Sequence, residues 1–372
     1  MSWIITGEQV NPAGDAQITY GITSTGGVFN LRSSGPVDYE VEGGDGTVER
    51  STSPLAHTYA AGSYVLKIRT AQQYRPYFNN STDGDQITSV ALVSDLDVGT
   101  NLTSAWFGAN NMTDFEAAFG VTAGVTNFRQ AWRDCSGLTN FPLIDTSSGT
   151  DLSLVWYNCS GLTSFPLIDT SSGDSFQSAW YGCSGLTSFP LIDTSSGTNF
   201  QSSWYGCSGL TSFPSINTSS GDNFDNAWRD CTSLTTFPSI NTSSGDNFTR
   251  AWRNCQSLTS FPTLDTSSGT NFSESWRSCF SLTDFPANFF DSWSATPVIN
   301  CFFNAWQSCT SLTATSVENI LNSIDTSGRS APASGVDITI DYDAFSGTPN
   351  ISTAVSNLID RGWTITLNGV PQ

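Results

Sequence analysis

The sequence predicts a mainly β protein with short helices: an N-terminal β-sandwich, then a solenoid of 24-residue rungs, then a C-terminal cap of αβαβ order. Three observations predict it. Trp132, Trp156, Trp180, Trp204, Trp228, Trp252 and Trp276 stand 24 residues apart, and Trp306 follows after 30. Cys135, Cys159, Cys183, Cys207, Cys231, Cys255, Cys279 and Cys309 each trail a Trp by three. A fixed period in this range marks stacked repeats, none of which can bury its own apolar residues alone. Before the repeats, short runs alternate as strands do; after them, helical and strand periods alternate.

Within a rung the large residues keep fixed offsets: Phe128, Trp132, Cys135, Leu138, Phe141 and Ile144. The first steps fit one or two helical turns with an apolar inner side. The Leu-Thr-Asn-Phe-Pro segment is too short for a helix, and Pro142 fixes φ there, so a short strand or extended turn is expected. The Asp-Thr-Ser-Ser-Gly tail is turn chemistry, with side chains that bond nearby backbone and a Gly that tolerates positive φ. Stacked at ~4.8 Å, about nine rungs would give a body roughly 43 Å long with Trp, Cys and Phe in ladders.

The Ala-Trp-x-x-Cys-x-x-Leu-Thr-x-Phe pattern resembles the BspA-like leucine-rich repeat family, in which an aromatic residue, Cys and Leu-Thr mark each rung. The likeness covers about half of the chain. The aliphatic strand positions of that family are partly Phe and Pro here, and the period is short. The resemblance implies surface adhesion or recognition proteins of bacteria, protists and phages. The Phe-Pro-Leu-Ile-Asp-Thr-Ser-Ser-Gly form looks most like marine phage proteins.

Four segments follow. Residues 1–72 alternate at Ile18/Tyr20/Ile22, Val37/Tyr39/Val41 and Tyr64/Leu66/Ile68, with turns expected at Gly26-Gly27, Gly43–Gly46 and Ala61-Gly62. The Gly44-Asp45-Gly46-Thr47 turn and the His57-Thr-Tyr59…Gly62-Ser-Tyr64 run resemble the PKD-like β-sandwich, which implies a spacer or binding module without catalysis. Gly43-Gly44 stands where that family has Trp. Residues 73–127 form a junction and an N-terminal capping rung, with Leu102, Trp106, Met112 and Phe115, completed by Phe119 and Val125; Ala109 replaces the Cys. Residues 128–313 are the repeat solenoid, interrupted at 287–301 by Phe289, Phe290 and Trp293. Residues 314–372 are the cap: Val317/Ile320/Leu321/Ile324 as a helix, Val336/Ile338/Ile340 as a strand, Ile351–Ile359 as a second helix, and Trp363/Ile365/Leu367 as a strand.

Charge narrows the partners. Lys and Arg number 13 against 33 Asp and Glu, a net charge of −20. That argues against nucleic acid or an anionic membrane as partner, since both need clustered Lys and Arg. No apolar run approaches the ~20 residues of a membrane span. Met1–Glu8 has neither a basic nor an apolar leader pattern, so no signal peptide is expected. A surface protein without one suits a virion component released by lysis. The expected place is therefore the virion surface or an extracellular one.

No enzymatic constellation stands out. His57 is the only His and is expected to make a structural hydrogen bond. Adjacent ladder cysteines at ~4.8 Å with parallel Cβ vectors exceed the ~3.8 Å that a disulfide prefers, and no C-x₂₋₄-C pair suggests a metal. Buried thiols acting as small hydrophobes are expected. Asp225, Asp230 and Glu274 are candidates for a carboxylate pair, as in a glycan-degrading tailspike, against a solvated acidic face. The row Asp145, Asp169, Asp193, Asn217, Asn241, Asp265 suits turn capping, with calcium the lesser alternative. No other cofactor is expected.

The candidate binding site is the position after each ladder Trp: Arg133, Tyr157, Tyr181, Tyr205, Arg229, Arg253, Arg277 and Gln307. Next to it run Asp134, Asn158, Gly182, Gly206, Asp230, Asn254, Ser278 and Ser308. Tyr and Arg are enriched in recognition surfaces, and consecutive Arg in so acidic a chain invite an anionic partner. The other account is that Tyr shields backbone while Arg pairs with neighbouring Asp. The function expected is a non-enzymatic virion surface protein, a fibre, adhesin or decoration. Its partners would be other virion proteins or a host-surface glycan or protein. A bacterial adhesin of the same build, or a tailspike, is the alternative.

Overall fold

A computed structural model describes residues 18–31, 39–51, 55–70, 73–78, 84–92, 96–332 and 336–372. The protein is mainly β, with two short α-helices among these residues. Val37 and the Met1–Glu8 segment lie outside them. No helix of the described residues is long and apolar enough to cross a membrane.

The N-terminal strands are β1 (Ile18–Leu31), β2 (Tyr39–Glu42), β3 (Val48–Ser51), β4 (Leu55–Arg69), β5 (Ile87–Leu92) and β6 (Asp114–Ala117). They form one hydrogen-bonded sheet in the order β3-β2-β4-β1-β5-β6. Two expected turns are absent. Gly26-Gly27 and Ala61-Gly62 lie inside β1 and β4, which pair from Ile18↔Ile68 through Leu31↔Leu55. Gly26 takes φ +94° there, a local bend that leaves pairing on either side intact. The Gly43–Thr47 turn does form, with Gly44 and Gly46 at positive φ and Asp45 accepting from the Thr47 amide. The expected structural role of His57 holds: its ring nitrogens lie 2.7 Å from Glu49 and 2.8 Å from Asp45. Burial lowers the imidazole's proton affinity, but those two carboxylates outweigh it and leave the pKa raised.

β6 pairs parallel with β5, so this sheet runs directly into the first repeat. Trp106, Ala109, Met112, Phe115 and Val125 are buried, and the Trp106 ring stacks 5.2 Å from that of Trp132. Phe119 does not complete this repeat: it is 69% exposed, on the turn that follows β6.

The repeats contain no helix; they are chains of β-turns. Ala131, Arg133 and Cys135 donate backbone hydrogen bonds three residues back, to Phe128, Gln130 and Trp132. The alternate amides, of Phe128, Gln130, Trp132 and Asp134, reach instead to the carbonyls of Asp151, Ser153, Val155 and Tyr157 in the next repeat. This pattern recurs from repeat to repeat, and parallel bridges link Asn101, Asn127, Asp151, Ser175, Asn199, Asn223, Asn247 and Asn271 in series. Left-handed residues make the geometry work. Asp134, Asn158, Gly182, Gly206, Asp230, Asn254, Ser278 and Ser308 all have φ between +56° and +71°. Asn, Asp and Gly are the residues that tolerate this region most readily. The Leu-Thr-x-Phe-Pro segment is extended, with bridges only at Thr236↔Ser260↔Asp284.

Side chains follow this backbone. Trp rings stack on their neighbours from Trp106 to Trp306, with centroids 5.2–6.1 Å apart. The Phe of each Phe-Pro step stands edge-on to them, as with Trp204 and Phe213 at 4.9 Å and 74°, while a Phe four residues before a Trp lies nearly parallel, as with Phe200 and Trp204 at 16°. The thiols are buried, as expected, and also bonded: each ladder Cys donates to the Trp carbonyl of the preceding repeat, Cys207 to Trp180 at 3.1 Å. The same carbonyl also accepts the Cys amide of its own repeat, as Trp180 O does from Cys183, so the thiol fills its second lone pair. Burial raises the Cys279 thiol pKa to about 12. We expect no modification of these thiols by iodoacetamide at pH 8 in the folded protein and full modification in denaturant, measured by mass spectrometry; fast labelling of native protein would contradict the burial.

The Asp-Thr-Ser-Ser-Gly tail does more than turn. Thr242 donates forward to Asp265 O at 2.6 Å, and Ser244 donates back to Ser219 O at 2.8 Å, so this tail ties repeats on both sides. Its Gly is required by closeness and not by φ. A Cβ on Gly197 would stand 2.7 Å from Phe200 Cζ and 2.8 Å from Phe176 Cε2.

Phe289, Phe290 and Trp293 of the insertion are buried, and the Trp293 indole donates to Gly269 O. Beyond lie α1 (Ala314–Thr326), β7 (Val336–Ile340), α2 (Ser352–Asp360), β8 (Trp363–Leu367) and β9 (Val370–Pro371). Thr313 caps α1, and Gly362 at φ +89° ends α2. β7, β8 and β9 form their own sheet, joined to the last repeat by the Trp306↔Ile340 bridge.

Candidate functional site

The residue after each ladder Trp sits between two inward-facing positions, and its side chain is half-buried on the flank. Tyr157, Tyr181 and Tyr205 stack face to face, at 4.4 Å and 4.5 Å between centroids. Arginines close both ends. The Arg133 guanidinium lies 4.9 Å from the Phe107 ring and 4.8 Å from that of Tyr157; Arg229 lies 5.0 Å from Tyr205. Phe107, Arg133, Tyr157, Tyr181, Tyr205 and Arg229 thus make one continuous planar stack, held by ring overlap and cation–π attraction. Ring faces are used up within this stack, which leaves ring edges and hydroxyls for other contacts. Burial raises the pKa of all three Tyr.

Arg253 and Arg277 belong to a different arrangement. Both reach Glu274 Oε2, at 2.6 Å and 2.9 Å, while Arg250 grips Oε1 with Nη2 at 2.8 Å and Nε at 3.1 Å. Burial raises the Glu274 pKa, but these guanidiniums outweigh it and leave it lowered. Arg250 and Glu274 share one repeat position in adjacent repeats. Their 24-residue spacing and opposite charge are the sequence signal of this pairing. Arg229 lies 3.5 Å from Asp230, so part of the flank's charge is paired locally.

The three carboxylate candidates do not act alike. Glu274 is nearly buried beneath its arginines. Asp225 accepts from Gln201 at 3.2 Å and Asn226 at 2.6 Å, and burial raises its pKa. Asp230 accepts from Asn254 at 2.7 Å. The turn row is engaged locally: Asp145, Asp169, Asp193, Asn217, Asn241 and Asp265 each accept from the amide two residues on. Among the described residues no group of three or more His, Cys, Asp or Glu could hold a metal ion.

Comparison with protein-family models, curated proteins and solved structures finds no match.

Proposed function

We propose that this chain is a non-enzymatic surface protein of a virion, a fibre, adhesin or decoration. In this reading the repeats are the rungs of a leucine-rich-repeat-like solenoid of BspA-like type, mounted on a PKD-like N-terminal domain. The solenoid presents its Tyr/Arg flank to a host-surface molecule or a neighbouring virion protein. The observation that carries this is the Phe107–Arg229 stack: a straight, rigid row of aromatic and guanidinium groups on a half-exposed flank. Such groups lose little conformational entropy on binding, because stacking already holds them. The tailspike alternative needs a carboxyl that is protonated at working pH. Glu274, held ionised by three arginines, is unsuited to that role, and Asp225, whose pKa burial raises, is engaged by Gln201 and Asn226.

The test is binding of the purified protein to host cells and to stripped particles. Tyr157/Tyr181/Tyr205→Ala and Arg229/Arg253/Arg277→Ala are each expected to reduce cell or particle binding at least ~10-fold, with circular dichroism unchanged. Unaltered binding of both variants to both surfaces would refute the flank as the recognition site.

A further inference from the structure

We propose that Arg250, Arg253 and Arg277, gathered by Glu274, form a binding site for an acidic glycan, a sugar polymer carrying sulfate or carboxylate groups. The proposal rests on the flank being a recognition surface and names its ligand.

The arrangement is layered. Glu274's side chain is 7% exposed, whereas those of Arg250, Arg253 and Arg277 are 38%, 27% and 32% exposed. The carboxylate lies beneath and the guanidiniums outside. Both Glu274 oxygens are occupied, and one negative charge faces three positive ones. The three guanidiniums carry more N–H donors than Glu274 accepts. Among the described residues they have no other side-chain partner.

Neighbouring acids cancel only part of the excess. Asp225 and Asp230 take their short hydrogen bonds from Gln201, Asn226 and Asn254, not from these arginines. Including Arg229, four guanidiniums stand against Asp225, Asp230 and Glu274, which leaves one positive charge in a chain of net −20. Charges beyond about 8 Å are screened at physiological salt, so an anion at the cluster responds mainly to this local balance. The guanidiniums also crowd one another: burial and the charges of Arg229, Arg277 and Arg250 lower the proton affinity of Arg253 despite Glu274. An anion bound across them relieves that repulsion. A planar guanidinium edge matches carboxylate and sulfate oxygens in pairs. The adjoining Tyr205, Tyr181 and Tyr157, with rings 4.5 and 4.4 Å apart, suit a ligand that repeats along one dimension and offers neutral hydroxyls beside its charges.

The experiment is calorimetric titration of the full chain, at physiological salt, with dextran sulfate, alginate, unmodified dextran and poly-glutamate. Binding is expected for dextran sulfate or alginate, and the pair tells sulfate from carboxylate; dextran and poly-glutamate should not bind. Arg253→Gln should weaken binding about tenfold, the loss of one charge-assisted contact. Glu274→Gln removes the competing carboxylate and should tighten binding, a gain that a purely structural ion pair would not show. If Glu274→Gln fails to fold, Arg253→Gln and Arg277→Lys carry the test. No binding of either acidic polymer, equal binding of poly-glutamate, or insensitivity to the arginine substitutions would overturn the site. If cell attachment still depends on the Tyr row in that case, this proposal alone fails.

Discussion

Trp204→Ala is expected to destabilise the protein by about 3–5 kcal/mol, the range for removing a fully buried aromatic side chain. The indole is 0% exposed and sandwiched between Trp180 at 5.5 Å and Trp228 at 5.4 Å, with Phe189 and Phe213 edge-on. The site cannot collapse easily. The Trp204 and Gly206 amides bond to Ala227 and Arg229 in the next repeat, which fixes the backbone on both sides of the lost ring. Urea unfolding followed by far-ultraviolet circular dichroism measures the effect. Tyr205→Ala, one residue on but half-exposed, should cost far less. A Trp204→Ala loss no larger than that of Tyr205→Ala would contradict the ladder as the core.

The second large effect is expected at Gly197. Gly197→Val places methyl groups where even a Cβ would lie 2.7 Å from Phe200 Cζ and 2.8 Å from Phe176 Cε2. Those rings stack on each other at 5.5 Å and have no free volume to enter. Overpacking of this kind costs about 1–3 kcal/mol. Gly206→Asn is the contrasting control. Gly206 has φ +71°, but the same repeat position carries Asn158 and Asn254 at φ +56° and +64°. A Cβ there meets nothing closer than 3.7 Å. Its effect should stay within about 0.5 kcal/mol. The same urea series decides; equal loss in both variants would show that backbone freedom, not closeness to Phe, selects Gly at 197.

Much of this was legible from the period alone. Trp, Cys, Leu and Phe at fixed offsets in each repeat foretold which residues are buried, because inward positions admit little change. The cap was legible because Val317/Ile320/Leu321/Ile324 and Trp363/Ile365/Leu367 carry distinct periods. The backbone was less so. Offsets of four and three between Phe128, Trp132 and Cys135 fit a helix and a run of β-turns equally; only the Asp/Asn/Gly/Ser composition two residues after each Trp hints at left-handed φ. Gly26 and Gly62 misled because a bend inside a paired strand uses the same residue as a turn. At the candidate site, the outward Tyr row was foreseen. The convergence of Arg250, Arg253 and Arg277 was not, because a Glu at a position that varies between repeats fits a catalytic acid as well as a partner for its neighbours in the stack.

We propose that each 24-residue repeat adds one layer along a single axis. Deleting residues 173–220, two whole periods, and measuring the chain by small-angle X-ray scattering tests it most directly. The account predicts a folded protein whose longest dimension falls by about 10 Å, two strand spacings, with an unchanged cross-section. Unfolding, or shrinkage of the cross-section at constant length, would contradict it.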